Sequence, residues 1–235
     1  MKMNRIAFFL IAVVLPILSI LAESAGAAES PGNFQRFFIA GGPLVWFLLL
    51  PLSALTIQLI VRDCLIIRRG SIIPAGLIDG LLPLMQASRS DAAKEYLEER
   101  DGFLARVLQV GLAQTSHGLA AMENAVAEML EQETTQLLRR IEWLSIIGSV
   151  APMIGLFGTV WGMINAFTGI VQAGGQPEPA DLAGGISTAL VTTWWGLVVA
   201  IPALAAYGYL RNRIDVLTAE AAVSAEETLR NIKTP

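Results

Sequence analysis

Four uncharged apolar runs punctuate the chain: Ile6–Leu21, Phe37–Val61, Trp143–Pro177 and Leu182–Leu210. Each of the last three supplies the ~20 apolar residues that a helix rising about 1.5 Å per residue needs to cross roughly 30 Å of hydrocarbon. They predict three membrane-spanning helices. Between the first two, the pattern changes. Leu77 to Met85 is apolar apart from Asp79 and Gly80, Asp91 to Arg100 is mostly polar, and Phe103 to Leu112 is amphipathic, with Gly70, Gly80 and Gly102 as breaks between short helices. From Leu119 the apolar residues Met122, Val126, Met129, Leu137, Ile141 and Leu144 recur at three- and four-residue steps, with Glu133 filling one interval. Nothing breaks this period before the second span, so one long helix is expected to leave the membrane and continue. After the third span, Ile214, Val216, Leu217, Ala221 and Ala222 keep near-helical spacing, which extends that helix in the same way.

The short first run has a different meaning. Lys2 and Arg5 precede it and the small residues Ala25-Gly26-Ala27-Ala28 follow it, the order of a secretory signal peptide cleaved near Ala27. Basic residues orient the rest. Arg62, Arg68, Arg69, Arg139, Arg140, Arg211 and Arg213 flank one side of the spans, against Arg36 alone on the other. The expected map is a signal peptide at 1–27, an external N-terminus at 28–36, spans at 37–61, 143–171 and 185–210, a cytoplasmic helical domain at 62–142, an external loop at 172–184 and a cytoplasmic tail at 211–235. The fold class is an all-α integral membrane protein with long cytoplasmic helical extensions. Gly41, Gly42, Pro43 and Pro51 predict a kink in the first span.

Composition sharpens this reading and removes alternatives. With 54% hydrophobic residues, 15% charged and a mean hydropathy of +0.59, the chain of 235 residues is too apolar for a soluble domain. The net charge of -4, with scattered basic residues, gives no reason to expect nucleic acid. A single cysteine, Cys64, cannot form an intramolecular disulfide. The spans contain no Asp, Glu, Lys, Arg or His. Paired carboxylates for an intramembrane aspartyl protease are therefore missing, as is the base that would activate a serine nucleophile. A proton relay built from this chain's own titratable side chains is missing too. There is no phosphate-binding glycine loop, and Glu123, Glu128 and Glu131 lack the His or Cys that a metal centre would add, so neither catalysis nor a cofactor or metal is expected.

What the spans do hold is small residues and hydroxyls. On a helical wheel Gly155, Thr159, Gly162 and Ala166 share one strip of the second span, and Ala189, Thr193, Gly196, Ala200 and Ala203 share one strip of the third. Gly158 lies beside the first strip, and Pro152 and Pro202 mark packing positions in the two helices. Thr188 and Thr192 form a second polar line, one turn apart. Two readings stay open from the residues alone. The strips line a path, or they only let backbones pack closely while each threonine bonds its own helix.

VAPMIGLFGTVWGMINAF at 150–167 followed by ISTALVTTWWGLVVAIPALAAY at 186–207 resembles the paired signatures of the MotA/TolQ/ExbB proton-channel family, in the one-plus-two span order of its ExbB and TolQ branch. The resemblance implies a homo-oligomer, a pentamer in the family, closed around the helices of an ExbD- or TolR-like single-span partner whose aspartate carries protons. It also implies a bacterial inner-membrane location and coupling of proton-motive force to an outer-membrane or periplasmic machine, through a TonB- or TolA-like transducer. Thr159 and Thr193 match the family's pore threonines. The chain departs from the pattern at Thr188, where many members have a glutamate, and at Trp194 and Trp195, where smaller residues are usual. The alternative from another class is a non-conducting membrane scaffold.

Overall fold

The computed structural model describes residues 42–87, 90–176 and 178–230; the signal peptide expected at 1–27 and the segment 28–36 lie outside them. Among the described residues every regular element is helical. Three helices are long and apolar enough to cross a membrane: Val45–Ile66, Leu119–Gln172 and Leu182–Arg230. The chain divides into two compact units. Met1–Val61 with Trp143–Tyr207 forms the first, and Arg62–Glu142 with Gly208–Pro235 forms the second.

The first span opens with a helical turn, Gly42–Leu44, passes through a π-helical turn, Val45–Leu49, and continues as α1, Leu50–Ile66. Pro51 has no N–H to offer the carbonyl four residues before it, and the ladder changes register just upstream, where the Leu50 N–H reaches Val45 O. The irregularity expected from the prolines and glycines therefore takes the form of a π turn. Val45 and Leu49 on that turn are fully buried and cluster with Val191 and Trp195 of the third span. Lower down, Leu52 and Leu59 pack against Ile147, Ala151, Val199, Ala200 and Ala203.

The second unit begins with short helices: α2, Arg69–Ile72; α3, Leu77–Gln86; α4, Ser90–Glu98; and α5, Phe103–Ala113. A 3-10 turn at Thr115–His117 leads to α6, Leu119–Gln172, and α7 follows at Pro179–Arg230. The break expected at Gly80 falls instead at Gly76, which takes φ 82° at the start of α3. Gly80 sits inside α3, where the Tyr96 ring fills the space a side chain would need. Gly80 is thus a packing glycine, and the Pro74-Ala75-Gly76 turn is the breaker. Leu77, Leu81, Leu97, Leu104 and Leu108 supply fully buried side chains, which shows that α4, polar as it reads, turns Ala93 and Leu97 inward. At Gly111 the backbone of α5 comes so close to its neighbours that an added Cβ would lie 2.6 Å from a Val126 methyl.

The two long helices follow the periodicity. α6 carries 54 residues and α7 carries 52, and Pro152 and Pro202 lie inside them without ending them. α6 ends at Gln172 and α7 starts at Pro179, whose fixed φ at the first helical position preorganises the start of the helix. Arg213 on α7 donates from Nε to Ile67 O at 2.9 Å and from Nη1 to Tyr209 Oη at 3.0 Å, which satisfies a carbonyl just past the end of α1. Arg69 forms a two-pronged pair with Glu220 nearby.

Candidate functional site

Glycine decides how α6 and α7 meet. A Cβ built on Gly196 would lie 2.7 Å from Ala151 O and 3.2 Å from the Gly155 Cα. One on Gly155 would lie 3.0 Å from both Thr192 O and the Thr193 Cα, and one on Gly162 would lie 3.1 Å from the backbone of Ala189. These are backbone contacts that no rotamer change relieves. Farther along, Gly185 meets Ala166, and at the other end Gly148 meets Leu204. As residue numbers climb on α6 they fall by matching steps on α7, so the two helices are antiparallel and in register from Gly148–Leu204 to Ala166–Gly185. The inner strip of α6 is therefore Gly148, Ala151, Gly155, Gly158, Gly162 and Ala166. Small residues here permit the close helix approach that membrane helices use in place of a hydrophobic driving force.

The four threonines take different places around this seam. Thr192 is 2% exposed, and its hydroxyl lies 2.7 Å from Ala189 O and 3.4 Å from Gly155 O. Its side chain occupies the space opposite Gly158. Thr193, half-buried, donates across the pair to Gly155 O at 3.2 Å. Thr159 is half-buried at the edge of the seam and donates within its own helix to Leu156 O at 2.6 Å. Thr188 does the same with Gly184 O at 3.0 Å. The structure thus brings Thr192 and Thr193 together on one carbonyl and leaves Thr159 and Thr188 bonded to their own helices. Pro152 and Pro202 are half-buried in the same pair.

Next to Thr159, the outer face of α6 is apolar and exposed in the single chain: Leu156 at 62%, Phe157 at 58% and Trp161 at 57%. Trp195 is buried against the first span, and its indole meets that of Trp194 edge to face at 5.3 Å between centroids. Segments 45–61, 143–172 and 182–210 contain no ionisable Asp, Glu, Lys, Arg or His. Hydroxyls, backbone carbonyls, the Asn165 carboxamide and aromatic edges are the polar groups this helix pair has to offer.

Two features of the second unit go beyond the sequence pattern. Glu133, the acid on the apolar stripe of α6, is buried and accepts both arms of the Arg106 guanidinium, at 2.9 and 2.7 Å. That bond is the main reason the Arg106 pKa rises. An acid at a core position of the stripe was the one signal; its partner 27 residues earlier gave none. Asp63 is 3% exposed, and its Oδ2 finds no donor among the described residues. Among those residues no group of His, Cys, Asp and Glu could hold a metal ion.

Comparison with known proteins gives concordant matches. The sequence profile of the MotA/TolQ/ExbB proton channel family matches residues 97–222. The chain is similar to the biopolymer transport protein ExbB of Neisseria gonorrhoeae, 32% identical over 213 residues that cover 83% of this chain and 94% of that protein. It is also similar to the Tol-Pal system protein TolQ of Pseudomonas aeruginosa, 37% identical over 111 residues, 46% of this chain and 48% of that one. Among solved structures, a chain of C. jejuni MotAB superposes with a TM-score of 0.58 at 18% identity, covering 95% of this chain and 91% of its own, a likeness of fold.

Proposed function

Since the chain belongs to the MotA/TolQ/ExbB proton channel family, we propose that it is an ExbB-like subunit that energises transport with proton-motive force. In this reading several copies, five by family analogy, enclose the spans of an ExbD- or TolR-like partner in the bacterial inner membrane. The N-terminus faces outward and the C-terminus lies in the cytoplasm. A TonB- or TolA-like transducer then carries the motion outward. The observation that supports the reading best is a hydroxyl-bearing helix pair without a single Asp, Glu, Lys, Arg or His in its apolar segments. Proton transfer through a membrane needs a titratable group at depth, so the acid comes from another chain.

Hydrogen-bond direction adds a chemical role. Thr159 and Thr193 each spend their one hydroxyl proton on a carbonyl, which leaves oxygen lone pairs as acceptors. Such an oxygen accepts from a protonated carboxylic acid or a hydronium and has no proton left for a carboxylate. The threonines therefore favour the proton-loaded state of a partner's acid. Thr188, at a position often acidic in the family, adds a further acceptor without charge.

The test replaces Thr159 and Thr193 by valine, singly, and measures proton flux and motor-dependent uptake in assembled complexes. Loss in either variant with assembly intact supports the reading; full activity in both removes it. The competing scaffold reading draws on the same hydrogen bonds, because every one of these hydroxyls is already satisfied by backbone. It expects the valine variants to alter assembly or nothing.

A further inference from the structure

Between the end of α1 and α6, the second unit contains a cavity of about 280 Å³. One wall is Ile66, the last residue of the apolar helix Val45–Ile66, and Ile72, Phe103 and Leu137 continue that apolar lining. The polar lining carries four charges: Arg106 and Arg140 against Asp101 and Glu133. Arg106 and Glu133 neutralise each other through two hydrogen bonds. Arg140 lies within electrostatic reach of the buried Asp63, and Asp101 of Arg106; neither forms an ion pair among the described residues and both are solvent-exposed, so the cavity presents one cation and one anion to solvent. It is electroneutral and dipolar.

We propose that this cavity binds the zwitterionic headgroup of a phospholipid bearing a primary ammonium. The phosphate meets the planar guanidinium fork of Arg140, and the ammonium donates to the carboxylate of Asp101. A singly anionic headgroup would leave Asp101 opposed by like charge, and a quaternary ammonium has no N–H to donate. The volume, just under the usual range of small-molecule sites, suits a headgroup. The apolar wall ending a membrane-length helix favours a ligand with acyl chains over a soluble zwitterion. None of this depends on proton conduction.

The purified full-length protein is titrated in detergent with phosphatidylethanolamine, phosphatidylcholine, phosphatidylglycerol and soluble phosphoethanolamine, and bound ligand is counted by native mass spectrometry. The expected result is at least a five-fold preference for phosphatidylethanolamine over each of the others. Arg140→Gln and Asp101→Asn should each abolish it, with helicity and oligomeric state unchanged. Leu137→Trp, which fills the cavity, should abolish it independently of charge. Equal binding of the three lipids, a preference that survives both charge variants, or phosphoethanolamine binding as tightly as the lipid would each overturn the assignment.

Discussion

Thr193 on α7 donates its hydroxyl hydrogen bond to the carbonyl of Gly155 on α6, across a seam where the two backbones approach so closely that neither Gly155 nor Gly196 has room for a methyl group. Its neighbour Thr192 lies on the same carbonyl, from the buried side. Adjacent residues on a helix point about 100° apart, so this pair separates a hydroxyl enclosed by the chain from one at the margin of the helix pair.

That separation distinguishes two variants of nearly equal shape. Thr192→Val and Thr193→Val each remove one hydroxyl; hydrogen bonds between membrane helices are worth about 0.6 kcal/mol on average, so both proteins should assemble. We expect proton flux to fall at least ten-fold in Thr193→Val and to stay within about two-fold of normal in Thr192→Val. Thr193→Ser should keep most of the flux. Liposome flux assays with the partner present read out all three, and equal behaviour of the two valine variants would contradict the distinction.

The seam itself is tested by alanine. Gly196→Ala and Gly155→Ala force a methyl group against backbone atoms 2.7–3.0 Å away. Overpacking costs about 1–3 kcal/mol, partly offset by up to ~1 kcal/mol of helix propensity. Gly208→Ala meets nothing within 4 Å in the same long helix and should gain stability. Thermal unfolding in detergent should therefore move in opposite directions for the two kinds of site.

In the second unit, Glu133→Gln should destabilise by about 1–3 kcal/mol. Breaking a buried ion pair costs about 3–5 kcal/mol, and the cost is lower here because solvent screens the Arg106 side chain, which is 46% exposed. Replacing both partners with apolar residues should recover much of the loss. The raised pKa of Arg106 means that its share of stability is present at all pH values below the ordinary arginine range and is lost only as pH rises beyond the folded value. Melting temperature should consequently show no loss of this pair between about pH 7 and 9.

Trp195 predicts the largest effect of a single side chain. Its indole is buried against Val45, Leu49 and Val191, and truncation of a buried Trp to Ala costs about 3–5 kcal/mol. Trp195→Ala should loosen the π turn of the first span, read as faster proteolysis near residues 45–49 or lower melting temperature. A variant as stable as the parent would show that this cluster does not hold the span.

Much of this architecture is legible in the residues. The three- and four-step recurrence from Leu119 to Leu144 is enough by itself to announce α6, and the glycine spacing at 155, 158 and 162 announces close approach. The division of labour between Thr192 and Thr193 is not legible, because both fit a helical strip and only the position of the partner helix selects one. Nor is the Arg106 partner of Glu133, since nothing local links α5 to α6. Gly80 misleads because a glycine making room for Tyr96 reads the same, in one dimension, as a glycine that breaks a helix.

The π turn at Val45–Leu49 amounts to one residue spliced into an otherwise α-helical span. Removing a single residue from 45–49 would let the ladder relax to ordinary spacing, and the Gly42–Leu44 turn before it would swing about 100° around the helix axis. The exposed flank of Trp46, Phe47 and Leu48 would then turn, and with it the set of neighbours that the span can touch. This one insertion sets which side of the helix the Gly42–Leu44 turn presents.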